Sequence, residues 1–165
     1  MIRFKEIRSA IVRGLKEHTR LMVIEMNGGG DVPKTAFLTY DFVDGFGSGR
    51  GFPAISQLGD IQQQTETVNF TVSFLSYADD KAASFDNAMK ARDWFRGAGR
   101  LMLKESVDVI PVDIGSVENR DVNIGTEWER RQGFDIEFRT VDVSESELGT
   151  IEKAIIKGVE RIGTT

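Results

Sequence analysis

The sequence predicts a mixed α/β (α+β) fold, in which a mainly antiparallel sheet of about five strands is flanked by about three helices. Three observations predict it. Apolar residues recur at helical spacing near the N-terminus, two long segments alternate apolar and polar residues as half-buried strands do, and a second helical pattern lies between those segments. The predicted order is α-β-β-β-α-β-β-α, within a single domain over residues 1–165.

The first elements follow from periodicity and turn residues. One face of the N-terminal helix carries Phe4, Ile7, Ile11 and Leu15. A strand is predicted at 21–26, and Asn27 with the three glycines after it supplies residues that tolerate positive φ in a turn. The second strand is predicted at about 35–41, because Pro33 delays it.

A glycine-rich segment with three phenylalanines follows and is too long for a tight hairpin. It predicts a Gly-rich loop or arm at about 42–60. A phosphate-binding loop is excluded, because no Gly-Lys-Ser/Thr ending and no following helix are present. Two interpretations stay open: a flexible arm that presents Phe42, Phe46 and Phe52 to a neighbour and orders on assembly, or a loop folded back on its own core.

The middle of the chain predicts a long strand and a helix. The strand runs from about 62 to 77, with Val68, Phe70, Val72 and Phe74 on its apolar face. Asp79 or Asp80 is expected to cap the helix, which Gly97 and Gly99 end or kink. Its apolar side is predicted to carry Ala82, Phe85, Ala88, Met89, Arg92 and Phe95.

Two strands and a helix are predicted for the last third. The first strand, 107–114, contains Pro111 and therefore belongs at an edge or a bulge. The second, 126–143, alternates with an interruption at Gly133. The last helix is predicted after Ser144, with Glu147 at capping-box spacing. Its apolar stripe carries Leu148, Ile151, Ile155, Val159 and Ile162.

Composition excludes most catalytic and metal chemistry. The chain has no cysteine and one histidine, His18, so disulfides, thiolate nucleophiles and common zinc sites are excluded. The carboxylate pairs Asp79/Asp80 and Glu127/Glu129 are typical of solvated positions, and no Gly-x-Ser-x-Gly elbow is present. We therefore expect no enzymatic activity, no cofactor and no metal.

Charge and hydropathy limit the partners. The net charge of −5, with both signs interspersed, argues against duplex DNA as the main ligand, because such binding depends on Lys and Arg contacts to phosphates. An acidic protein can still line a path along which DNA moves without specific binding. No apolar run is long enough to cross a bilayer, and the N-terminal residues lack the pattern of a signal peptide, so we expect neither a membrane span nor secretion.

The run Trp128-Glu129-Arg130-Arg131 precedes the last long alternating segment. Tryptophan and arginine are the residue types that anchor interfaces, which favours a subunit contact at this run. Arginine beside glutamate across strands is equally typical of a solvent-exposed ladder pair. Both interpretations stay open.

The whole arrangement resembles the tail terminator (neck) proteins of long-tailed bacteriophages. The resemblance covers an N-terminal helix, a strand pair, a long strand before the central helix, and then 107–114. It also includes the aromatic-Glu-x-Arg run at Trp128, Glu129, Arg130 and Arg131, which leads into an alternating strand through Phe138. It extends over nearly the full chain but is diffuse, and the glycines at 45–51 depart from it.

This resemblance implies a structural subunit of the virion tail or neck, made in the bacterial host cytoplasm. Six copies would form a ring on the head-proximal end of the tail tube, stop tube polymerisation and offer a docking surface to head-completion proteins. The implied partners are other copies of the chain, the tail tube protein and the head-completion proteins. The residues expected at interfaces are Phe46, Arg50, Phe52, Trp128, Glu129, Arg130 and Arg131.

Two alternatives remain open. The chain could be another head–tail connector or tail-completion subunit of similar size. From a different class, it could be a small enzyme or ligand-binding domain that uses a cleft under the Gly-rich loop, with Asp41, Asp44 and Arg50 as polar groups.

Overall fold

The structure is a computed structural model and describes residues 1–49 and 51–149. Within those ranges it contains three helices and nine strands. In chain order these are α1 (Phe4–Thr19), β1 (Met22–Glu25), β2 (Phe37–Ser48), β3 (Ala54–Leu58), β4 (Ile61–Tyr77), α2 (Lys81–Arg96), α3 (Ala98–Val107), β5 (Ile110–Ile114), β6 (Glu118–Asn119), β7 (Val122–Ile124), β8 (Glu127–Glu129) and β9 (Arg131–Glu147).

The main sheet has the order β1-β2-β4-β9-β5. Strand β3 pairs with the first residues of β4, before the part of β4 that pairs with β2. Strand β6 pairs with the start of β9, while β7 and β8 form a separate hairpin. Among these pairings only β1 with β2 is parallel. The predicted fold class, a mixed α/β protein with a mainly antiparallel sheet, is confirmed.

The pairing of β4 with β9 organises the sheet. Each strand has 17 residues, and the antiparallel register runs without a shift from Ile61↔Glu147 to Tyr77↔Arg131. Because side chains alternate between faces, the apolar positions of both strands fall on one face. The two long strands predicted from alternation are therefore present and are direct neighbours.

Aromatic side chains form the centre of the core between this face and the helices. The Phe70 and Phe138 rings stack with centroids 5.2 Å apart, and those of Phe74 and Phe134 are 5.3 Å apart. Phe95 of α2 lies over both strands, 5.0 Å from Phe74 and 5.6 Å from Phe138. Such rings bury large apolar areas, so this cluster holds α2 against the sheet.

The helices pack around Trp94 of α2. Its indole lies against Gly14 of α1 and Gly99 of α3, and a Cβ at either glycine would overlap the ring. Helix α1 contributes the buried Ile7, Ile11 and Leu15 to the same core, as predicted.

The predicted apolar side of α2 is partly wrong. Phe85 is 40% exposed, because the helix turns a different stripe toward the sheet. The buried residues of α2 are Ser84, Ala88, Ala91, Trp94 and Phe95.

Several local predictions are confirmed. Asn27, Gly29 and Gly30 have positive φ in the turn after β1. Asp80 caps α2 by accepting a hydrogen bond from the Ala83 amide at 2.8 Å, and Gly97 ends that helix. Pro111 lies in β5, at an edge of the sheet and beside a register shift.

The largest correction concerns residues 42–60, for which the sequence predicts a loop or arm. Strand β2 continues to Ser48 with two register shifts against β4, and β3 and β4 then form a hairpin whose turn contains Gly59 and Asp60. Irregular pairing lets a glycine-rich strand bend and stay in the sheet. Only residues 49 and 51–53 separate β2 from β3 in the described chain.

Three further predictions need correction. The helix predicted to begin after Ser144 is wrong at its start, because β9 continues to Glu147 opposite Ile61. The strand predicted at 107–114 begins only at Ile110, because α3 continues to Val107. Trp128 lies in the short strand β8 before a break at Arg130, while Gly133 is inside β9. The rest of the predicted C-terminal stripe, Ile151, Ile155, Val159 and Ile162, lies outside the described residues.

None of the helices in the described ranges is long and apolar enough to cross a membrane.

Substituting Gly14→Ala should lower the free energy of unfolding by about 1 to 2 kcal/mol. Overpacking against Trp94 costs about 1–3 kcal/mol, and the better helix propensity of alanine recovers up to about 1 kcal/mol of that. Urea denaturation measures the change. Gly45→Ala is the matched control, since a Cβ there meets nothing within 4 Å. Equal stability of the two variants would contradict this packing.

Candidate assembly surfaces

One end of the main sheet lies outside the buried core. We call it the distal sheet: β3, residues 61–67 of β4 and residues 141–147 of β9, paired in the order β3-β4-β9. None of its residues is buried. A three-stranded sheet without a covered face is marginal by itself, so its order depends on continuity with the core half of β4 and β9.

Among the described residues, neither edge of the distal sheet is paired with a further strand. Strand β3 pairs with β4 alone, and β9 beyond Arg139 also pairs with β4 alone. The Met1 amino group donates to the Val143 carbonyl and lies 3.1 Å from Asp142 Oδ1, so it occupies the β9 edge at that point. Beyond Val143, no other described strand covers the edge of β9 as far as residue 147.

The two edges differ in charge. In the distal sheet β9 carries Asp142, Glu145 and Glu147 and no basic residue, while β3 carries no charged residue. Strand β3 instead exposes Ile55 and Leu58, of which Leu58 is 83% exposed. One edge is therefore acidic and the other is uncharged and partly apolar.

The three phenylalanines near β3 divide between core and surface. Phe46 packs within the subunit, with its ring centroid 4.5 Å from that of Phe70 and 5.8 Å from that of Phe4. Phe42 also packs against Phe4 and Phe70. Phe52 is 101% exposed. The segment thus folds back on its own core at two rings and presents the third to solvent.

A cavity of about 520 Å³ lies at the opposite, basal end of the sheet. The connection from β1 to β2 lines one side, Trp128, Glu129 and Arg130 line another, and the Phe37 and Tyr77 rings, stacked 4.6 Å apart, contribute aromatic surface. Trp128 is 55% exposed, with the Arg130 guanidinium 5.6 Å from its ring centre. We call this region the basal cavity.

Asp121 fixes the junction between β8 and β9. Its side chain is only 5% exposed and accepts hydrogen bonds from the Arg131 amide at 2.9 Å, the Arg130 guanidinium at 3.0 Å and the Gln132 side-chain amide at 2.9 Å. Arg131 also donates to the Arg120 carbonyl at 2.7 Å. Arg130 and Arg131 therefore make their hydrogen bonds within the subunit and fix the β8–β9 junction to residues 120 and 121.

A second arginine–carboxylate pair crosses the face of the sheet away from the helices. Arg120 binds both carboxylate oxygens of Asp135, at 3.1 and 3.0 Å, and donates to the Ser73 hydroxyl at 2.9 Å. The Arg120 stem also lies beside Gly133, where a Cβ would come within 2.8 Å of Arg120 Cδ. Bidentate pairs of this kind are geometrically specific, so Arg120 fixes the segment before β7 to the sheet.

The pKa values of the Asp121 and Asp135 carboxyl groups are both lowered. Burial alone would raise the pKa of Asp121, but hydrogen bonds from the Arg131 amide and the Arg130 guanidinium, with the charges of Arg130 and Lys81, hold that pKa below its ordinary value. Burial likewise opposes ionisation of Asp135, and the bonds from Arg120 and Ser73 outweigh it, so its pKa is also lowered. Both groups are carboxylates at neutral pH and act structurally.

The residues expected at interfaces do not form one site. Phe52 lies next to the distal sheet, while Trp128, Glu129 and Arg130 line the basal cavity, and Glu129 Oε1 is 3.7 Å from Arg131 Nη1. Arg50 lies outside the described residues. With strands rising about 3.3 Å per residue, the part of β4 from Gln64, in the middle of the distal sheet, to Tyr77 at the basal cavity places the two surfaces roughly 40 Å apart.

The chemistry of a small-molecule site finds little support. In residues 1–49 and 51–149 no group of three or more His, Asp or Glu side chains is placed to hold a metal ion. Asp41 and Asp44 lie on β2, and neither lines the cavity of about 220 Å³ beside Gly49 and Gly51. Paired strands replace the cleft expected under a Gly-rich loop.

Sequence reasoning missed Asp121 and the open strand edges. Asp121 has no local signal, because its partners lie about ten residues later in the chain and become visible only once β9 is placed. The hairpin turn at Gly59 and Asp60 does have a signal, since a Gly-Asp pair between Leu58 and Ile61 is typical of a tight turn. The glycines before it obscure that signal.

Comparison with known proteins assigns the chain to a family. The model of the family described as phage neck terminator protein matches residues 9–163. No curated protein matches the chain significantly.

The variant Asp121→Asn should lower the free energy of unfolding by about 1–3 kcal/mol near pH 7, because three donors lose their carboxylate. The folded-state pKa is depressed, so this stabilisation is present above the unfolded-state pKa of about 3.9 and is lost as pH falls through the lower folded value.

Urea denaturation of the unsubstituted protein and of Asp121→Asn between pH 7 and pH 3 measures the difference in their free energies of unfolding. The exposed Asp113→Asn is the matched control and should change stability little at any pH. A difference for Asp121→Asn that does not shrink toward low pH would contradict the role given to the carboxylate.

Proposed function

Because the chain belongs to the family of phage neck terminator proteins, we propose that its copies form a closed ring on the head-proximal end of the tail tube. The ring ends tube polymerisation and offers a docking surface to head-completion proteins. The family assignment itself gives a structural protein of the phage tail or neck. The ring, the cap on the tube and the docking of the head are the proposal.

The difference between the two ends of the β4–β9 pair is the observation that supports this role. A protein between a tube and a head needs different surfaces at its two ends. The distal sheet and the basal cavity differ from each other and lie at opposite ends of the same pair of strands, which supports their assignment to two different partners. A rigid ladder keeps the two surfaces at a fixed separation, as a spacer between two partners requires.

Exposed apolar side chains support assembly. Phe52 and Leu58 are almost wholly exposed in the isolated chain, and Ile55 is 64% exposed. Burying one such side chain contributes about 1.5–3 kcal/mol. A ring requires a heterologous contact, in which one patch meets a different patch on the next copy, and closure of that contact stops growth.

The net charge of −5 fits a ring through which DNA passes without specific binding. We propose no specific nucleic-acid site.

Another head–tail connector or tail-completion subunit is the nearest alternative, and behaviour toward tail tubes separates the two. We expect purified protein, added to polymerising tube protein, to shorten the tubes and to appear by electron microscopy as a cap on one end only. If the chain were instead another connector or tail-completion subunit, it would bind to a cap that is already present and leave the tube length unchanged. Coating along the tube, or no binding, would contradict the terminator role.

Replacing Phe52→Ser should raise the protein concentration needed for ring or cap formation by about 10- to 100-fold, since burial of the ring is lost. Thermal stability of the isolated subunit should not change, because the side chain is in solvent there. Light scattering and electron microscopy over a concentration series measure assembly. Leu101→Ser, at a 59% exposed position on α3, is the matched control. Equal assembly of both variants would exclude Phe52 from the interface.

A further inference from the structure

We propose that neighbouring subunits join edge to edge through the distal sheet, with β3 of one copy beside β9 of the next. The two strands would pair in parallel and make one continuous sheet across the subunit boundary. This inference rests on the proposed ring and names the surfaces that form it. The partner along the two edges of the distal sheet is therefore a second copy of this chain.

The backbone of the distal sheet provides the binding groups. An unpaired strand edge presents a row of N–H and C=O groups that readily pairs with another strand, and soluble proteins usually protect such edges with charge or cover. Strand β3 has neither in the described chain, because all five residues are exposed and none is charged. An unprotected edge with exposed Ile55 and Leu58 is the kind that a neighbouring strand covers.

Charge determines which strand edge of the neighbouring copy can pair with β3. If two β9 edges met, Asp142, Glu145 and Glu147 of both copies would lie side by side, and like charges on paired strands are destabilising. If two β3 edges met, only a dimer would form, and both acidic β9 edges would stay unpaired. Pairing β3 with β9 avoids the repulsion and uses both edges of every copy.

Strand direction agrees with ring symmetry. Strand β3 is antiparallel to β4, and β4 is antiparallel to β9, so β3 and β9 run in the same direction. A rotation about an axis along the strands preserves their direction, and therefore places β9 of one copy parallel to β3 of the next. Pairing of like edges requires a two-fold axis and antiparallel strands, which do not propagate around a ring.

The position of Phe52 fits the same contact. Phe52 and Pro53 immediately precede β3, and no described part of the same subunit shields the Phe52 ring. A strand added beside β3 lies on the outer side of that segment. The Phe52 side chain would then pack against the neighbouring copy, which explains a fully exposed aromatic ring at the start of an edge strand.

Cysteine cross-linking tests this contact cleanly, because the chain contains no cysteine. Gln57 of β3 and Ser146 of β9 both oppose Gln62 of β4 and therefore lie two strands apart in one subunit. That separation is roughly 10 Å, which is too far for a disulfide within the subunit. Between copies, the proposed pairing brings β3 and β9 to adjacent strands.

The double variant Gln57→Cys with Ser146→Cys should be assembled on tail tubes and oxidised. We expect most of the monomer band to convert into a ladder of covalent oligomers on denaturing gels. Pairing Gln57→Cys or Ile55→Cys with Ser144→Cys or Ser146→Cys allows for a shift of two residues in register. Each single-cysteine variant is the matched control and should stay monomeric, while a mixture of one β3 and one β9 variant should give dimers only.

Any other result of the cross-linking experiment overturns the proposed edge contact. Homodimers of Gln57→Cys alone mean that like edges meet. Rings or caps that form normally but give no ladder with any cysteine pair mean that the subunits meet elsewhere, and the ring proposal then stands without the edge contact. Failure of the unsubstituted protein to form a ring or cap overturns the proposed function as well.

Discussion

The unbroken pairing of β4 with β9 is the constraint on which the structure depends. In the half of the two strands that packs on the helices, Phe74 and Phe134 face α2, and their burial fixes the register of both strands. A slip of one residue would turn those rings to the solvent face, so the register of the far half is set by packing that lies several residues away. The distal sheet is ordered through this continuity, without a core of its own.

The same constraint accounts for the two end surfaces. Because the strands keep one register over their full length, β3 is held at a defined distance from β8 and the basal cavity. Asp121 then ties the β8–β9 junction at the basal end, through Arg130, Arg131 and Gln132. The proposed position between tube and head requires this rigidity, because the two partners would have to stay at a fixed separation.

Local patterns in the sequence predict the elements that they encode directly. The alternation through Phe70 on β4 and Ile136 on β9 identifies both long strands, because a period of two is visible without knowledge of the partner strand. The capping-box spacing after Ser144 predicts a helix start wrongly, since pairing with residues 61–64 overrides a local helix signal. The fit of Trp94 between Gly14 and Gly99 joins three helices and leaves no local trace.

The surfaces were predictable in part. Residue type alone pointed to Phe52 and Trp128, both of which are exposed. It could not separate Phe52 from Phe46, because both lie in the same glycine-rich segment and only the bend of β2 brings Phe46 onto Phe70. The contrast between an acidic β9 edge and an uncharged β3 edge depends on which strands are neighbours, and that is a property of the topology.

Cryo-electron microscopy of the neck in intact phage particles tests the central claim most directly. The account predicts a closed ring in which β3 of each subunit runs parallel to β9 of the next at the strand spacing of about 4.8 Å. A ring whose β3 and β9 edges are separated by other structure, or a neck in which like edges face each other, would contradict it.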